Sequence, residues 1–226
     1  RGMSNILGAD NARRFYAGGR PRSFDAPPPS EPAPTAPRSH RKNVQAATSI
    51  DEALEGVRAG GEVAKAAARS VLRLSGEPSC CGELAARGLP ALVECLRSGD
   101  VQAARPCAMA LKRLCTGAAE RQDAALAAGT LAAVVDCLAV HGGDPSAVAA
   151  CGLLLQHLAT GVGAAARREA AMEAGVLPAV AAVARRWDGD CAAILACRAA
   201  VRSLTRDSAA LQVAARTQGV PAQWLL

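Results

Sequence analysis

The chain has 226 residues, a net charge of +6 and five aromatic residues: Phe15, Tyr16, Phe24, Trp187 and Trp224. Alanine contributes 54 residues and Arg outnumbers Lys 23 to 3, so the core is built from Ala, Leu, Val and Cys. That composition suits closely packed helices, disfavours β-sandwiches and barrels and excludes a base-stacking nucleic-acid sheet.

Residues 1–48 carry eight basic residues against Asp10, Asp25 and Glu31, together with seven of the 13 prolines. The run Ala26-Pro27-Pro28-Pro29-Ser30-Glu31-Pro32-Ala33-Pro34 blocks helix and favours polyproline II. Residues 1–48 therefore read as an extended, basic, Pro-rich N-terminal arm. Arg13, Arg14, Phe15, Tyr16 and Phe24 are its candidate partner-binding residues, two cations and three apolar anchors for an acidic partner. A solvated leader and the remnant of a transit peptide are the alternative readings of the arm.

From residue 49 onward 18 basic residues face 17 acidic ones, a near-neutral body. Gly88-Leu-Pro-Ala-Leu-Val-Glu-Cys-Leu96, Leu131-Ala-Ala-Val-Val-Asp-Cys-Leu138 and Gly175-Val-Leu-Pro-Ala-Val-Ala-Ala-Val183 share one layout. A weaker copy opens at Ile50 and a last one at Gly219-Val-Pro-Ala-Gln-Trp-Leu-Leu226. The spacings between Ile50, Leu89, Leu131, Leu177 and Val220 are 39, 42, 46 and 43, in or near the range of helical repeats. Glycine before each copy can take the positive φ of a sharp helix-to-helix turn, and proline is tolerated in a first helical turn.

Apolar stripes at helical spacing follow each turn. They comprise Ala64, Ala68, Val71 and Leu74; Ala104, Ala108, Leu111 and Leu114; Val148, Gly152, Leu155 and Leu158; and Ile194, Val201 and Leu204. One copy cannot bury such a stripe alone, so the copies must stack. Their expected spans are 49–76, 77–117, 118–161 and 162–207, with a partial copy at 208–226. The last copy stops at Trp224-Leu225-Leu226, so either a partner covers that end or Trp224 folds back over it.

Over residues 49–226 the Gly-x-Leu-Pro turns and the helix Ala110-Leu111-Lys112-Arg113-Leu114 resemble the armadillo repeat family. The resemblance implies an all-α fold, a right-handed α-solenoid of about four three-helix repeats that binds partners along a concave face and has no catalytic activity. Members that grip extended peptides carry Asn and Trp ladders on their third helices. Here the Asn-equivalent positions are Arg73, Arg113, His157 and Ser203, and the Trp-equivalent ones are Arg69, Met109, Leu153 and Ala199. The peptide clamp is missing, which speaks against a nuclear-localisation-signal receptor. Arg73, Arg113, His157 and Ser203 become candidate residues of a basic-polar stripe for an acidic or helical partner.

Nine cysteines invite a metal or redox reading, but Cys107, Cys151 and Cys197 each stand seven residues before an equivalent leucine. Cys95 and Cys137 share a position in their second helices. Residues that recur with the structural period are core fillers, and a reduced thiol is a small hydrophobe. No Cys-x2-Cys pair and no zinc-type His spacing occurs; Cys80-Cys81 is the one adjacent pair. His40, His141 and His157 have no motif-placed catalytic partner, and neither glycine-rich run is followed by Gly-Lys-Ser/Thr.

Residues 145–166 lack charges but contain Pro145, Gln156, His157 and three glycines, which favours a buried soluble helix over a membrane span. The expectation is therefore a non-catalytic protein-binding scaffold subunit of a large assembly, with no cofactor and no metal. A ciliary axoneme or microtubule-associated complex comes first, with tubulin or axonemal proteins as partners and a cytoplasmic or ciliary location. The alternatives are a structural subunit of a mitochondrial or plastid complex, or a nucleic-acid-associated protein that uses the basic arm.

Overall fold

A computed structural model describes residues 49–98, 100–187 and 191–225. The arm and its candidates Arg13, Arg14, Phe15, Tyr16 and Phe24 lie outside the described residues.

The described residues form eleven α-helices and no strand. The first span, 49–76, holds α1 (Ile50–Ala59) and α2 (Gly61–Leu74); the second, 77–117, holds α3 (Pro78–Arg97) and α4 (Val101–Cys115). Next come α5 (Ala119–Ala127), α6 (Thr130–His141) and α7 (Pro145–Leu158), then α8 (Ala164–Glu173), α9 (Val176–Arg186) and α10 (Ala192–Thr205). The chain ends on α11 (Ala209–Thr217) and a 3-10 turn, Ala222–Trp224.

Local chemistry explains the starts. Ser49, Asp100, Asp144 and Ser208 each accept a hydrogen bond from a first-turn backbone N–H of α1, α4, α7 and α11, which pairs donors the helix cannot satisfy itself. Gly129, Gly175 and Gly219 adopt φ of 86°, 77° and 84° where the chain turns after α5, α8 and α11.

The turn expected at Gly88 does not form. Helix α3 runs unbroken through Gly88 and Pro90. At Gly129-Thr130-Leu131 and Gly175-Val176-Leu177 one residue separates the turn glycine from the next anchor, whereas Gly88 directly precedes Leu89, as Gly219 directly precedes Val220 where the chain does turn. The cost of Pro90 is contained because Ala86, whose carbonyl loses its partner, and Pro90 are both exposed.

Packing follows the repeat. Helix α2 lies against α4, α4 against α7 and α7 against α10; a second row runs α1, α3, α6 and α9. Every residue of the four expected stripes is buried, and together with the leucines of the second row they make one continuous core. At Gly152 an added Cβ would meet the Ala196 carbonyl carbon at 2.8 Å, so α7 and α10 approach backbone to backbone. Cys95, Cys107, Cys115, Cys137, Cys151 and Cys197 are buried free thiols. Trp224 is 3% exposed and its turn packs on α10: the tryptophan folds back.

Arginines tie the ends of the first row. Arg113 Nη1 donates to Leu72 O at 2.6 Å and Arg121 Nε to Leu114 O at 2.6 Å. Arg167, 2% exposed, donates to Leu158 O, Thr160 O and Val162 O and pairs with Asp123 at 2.8 Å. Each guanidinium thus meets the orphan carbonyls, and the negative end, of a helix C-terminus.

Candidate partner-binding face

The charge that composition reports as balanced is segregated in space. Helices α2, α4, α7 and α10 carry Lys65, Arg69, Arg73, Arg105, Lys112, Arg113, Arg198 and Arg202 against the single carboxylate of Glu62. The acidic residues of the body stand mainly on the other helices and at the starts of α4 and α7. There they compensate arginines: Arg87 pairs with Asp51 and Glu83, and Arg97 with Glu94 and Asp136. Lys65 is likewise held by Glu62 and Asp100, and its ammonium pKa is raised, mainly by the Glu62 hydrogen bond. Among the described residues no ion pair involves Arg69, Arg105, Lys112 or Arg202.

Two recesses mark this face. One, of about 310 Å³, lies between α2, α4 and the start of α7, with Arg69 and Arg105 beside Leu72, Pro106 and Met109. Asp144 also lines it and brings one negative charge, its Oδ1 accepting from the Ser146 and Ala147 N–H groups at 2.8 and 2.7 Å. The other, of about 290 Å³, is formed by Arg198, Arg202 and Arg206 with Leu195, Ala199 and Gln156. Between them the α7 surface carries no formal charge. A separate apolar groove of about 460 Å³ runs between α6 and α9, lined by Val135, Leu138, Pro178 and Val183 among others.

The four sequence candidates of the stripe fare differently. Arg73 and Arg113 are exposed in the last turns of α2 and α4, though Arg113 is engaged by Leu72 O. His157 is half-buried, with Nδ1 2.9 Å from Leu153 O. Ser203 is 3% exposed and lines the second recess together with Arg198 and Arg202. Sequence reasoning missed Arg105 and Arg202, which stand four residues before Met109 and three after Ala199. Their signal was available as the absence of any acidic residue within α4, α7 and α10.

Nothing among the described residues assembles three His, Cys, Asp or Glu side chains in metal-binding proximity. No single described helix is long and apolar enough to cross a membrane, and the uncharged stretch after residue 145 is the packed helix α7. These features define an all-helical protein with repeat-like stacking and one cation-rich row. No family model and no curated protein matches the sequence.

Proposed function

We propose that this chain is a non-catalytic protein-binding module, an armadillo-like α-solenoid of about four repeats acting as a scaffold subunit of a large assembly. The two rows of stacked helices support the repeat architecture. Rigid stacked helices present a preformed surface, which reduces the conformational freedom lost on binding. The observation that carries the reading is the row α2, α4, α7, α10, where exposed Arg69, Arg105 and Arg202 take part in no ion pair among the described residues and the helices carry one carboxylate against eight cations. Uncompensated like charges repel one another, and an acidic partner relieves that repulsion. The basic arm offers a second attachment that raises the effective concentration at the first. A microtubule or axonemal lattice, with its acidic surface, is the assembly we place first.

Two experiments on the full chain test this. A photo-cross-linking residue at Ala149, on the cation-rich row, should capture the same protein reproducibly from native extract, while one at Ala132, on exposed α6, should not. Equal capture from both positions would refute the assignment of the face. Co-sedimentation with microtubules that survives Arg69→Glu and Arg202→Glu together would remove the axonemal placement.

A further inference from the structure

We propose that the α2, α4, α7, α10 face takes an extended acidic polypeptide of bipartite design: two carboxylate clusters joined by a neutral stretch of six to eight residues. This rests on the protein-binding reading above and names the chemistry of its partner. The two recesses are the reason. Arg69 and Arg105 line the first with apolar Leu72 and Met109, two cations against the one carboxylate of Asp144. Exposed Arg202 and Arg206 line the second beside Leu195 and Ala199. Guanidinium forks match carboxylates two bonds at a time, and the apolar lining accommodates the methylenes of a glutamate.

The space between the recesses sets the spacing. Stacked helices stand about 8–10 Å apart, so the step from α2 and α4 across α7 to α10 covers roughly 20–25 Å. An extended chain advances about 3.3–3.6 Å per residue, which makes that step about six to eight residues. Over this span α7 offers Ala149, Leu153, Gln156 and His157 and no formal charge. A segment charged at its two ends and neutral in its middle fits such a surface.

A nucleic-acid strand fits less well, because it carries a phosphate at every nucleotide and would hold several over uncharged α7. Strand binders also stack bases on aromatic side chains. The two described tryptophans serve elsewhere: Trp187 Nε1 donates to Gly142 O at 2.8 Å, and Trp224 is buried.

The test uses the full chain and fluorescent peptides read by anisotropy. One peptide has three glutamates, seven neutral residues and three glutamates; others keep the composition with a two-residue spacer, or keep one cluster only. An oligothymidylate of equal charge is the further arm. The bipartite peptide should bind at least tenfold tighter than the other two, with an affinity that falls as salt rises. Arg69→Glu with Arg105→Glu, or Arg202→Glu, should each reduce it to the single-cluster level, as should the milder Gln replacements, while Arg58→Glu on α1 leaves it unchanged. Circular dichroism melting verifies that each variant is folded. Affinity independent of the spacer, equal loss with Arg58→Glu, or tighter binding of the oligothymidylate would overturn the proposal. If every peptide fails while Ala149 still captures its protein, the bipartite chemistry falls and the protein-binding reading stands.

Discussion

Gly152→Ala offers a sharp test of how α7 and α10 meet. In an ordinary helix interior this change stabilises by about 0.5–1 kcal/mol, because alanine loses less backbone freedom on folding. At Gly152 the new methyl would sit 2.8 Å from the Ala196 carbonyl carbon and 3.0 Å from its oxygen and Cβ. Comfortable carbon contacts are about 3.5–4.0 Å, and backbone cannot swing aside as a side chain can. Overpacking of that kind costs about 1–3 kcal/mol, so the clash outweighs the propensity and the variant should lose roughly 0.5–2 kcal/mol. Gly82, exposed within α3 with nothing within 4 Å of its added Cβ, is the matched control and should gain about 0.5–1 kcal/mol. Urea unfolding followed by far-UV circular dichroism reads both, and a change of 1 kcal/mol moves the melting temperature by about 2–4 °C at this size. A Gly152→Ala protein as stable as the parent, with Gly82→Ala stabilised as expected, would refute the backbone-to-backbone packing of these helices.

Leu155→Ala and Leu111→Ala each truncate a fully buried side chain and should cost about 2–5 kcal/mol in the same assay; an unchanged midpoint would remove these stripes from the core. Arg167→Leu strips three carbonyls of their donor; that of Leu158 is buried, and leaving it unpaired should cost about 1–3 kcal/mol. Asp123→Asn should change stability by under about 1 kcal/mol, because that carboxylate is 63% exposed; a larger loss there would show that the ion pair, not the carbonyl bonds, anchors Arg167. In native protein, Ellman's reagent should reach no thiol beyond Cys80, Cys81 and Cys191, with the six buried ones reacting only on unfolding. Burial pushes Cys115 and Cys197 up to about 12, from an ordinary 9.0 that the unfolded chain regains. Their contribution is therefore complete below 9.0 and drains away as pH rises from 9.0 toward 12. Urea midpoints should fall across that window, and a Cys115→Ala, Cys197→Ala protein should fall less steeply.

Much of this architecture was legible in one dimension because it depends on neighbours along the chain. The stripes ending in Leu74, Leu114, Leu158 and Leu204 follow from helical spacing, and all are buried. Left-handed Gly175 and Gly219 follow from a backbone conformation that other residues disfavour, and periodic cysteines follow from a core that needs small apolar groups. The continuation of α3 through Gly88 and Pro90 was not legible, because the letters there match those of the copies that turn. Other features were decided by contacts across helices. Packing buried Ser203 and brought Trp224 back onto α10. Pairing among α1, α3 and α6 consumed Arg87 and Arg97 while leaving Arg69, Arg105 and Arg202 on the other row in no ion pair among the described residues. Periodicity tells which way a side chain leaves its own helix; whether it meets a carboxylate, a carbonyl or water depends on residues about forty positions away, which only the folded stack brings alongside.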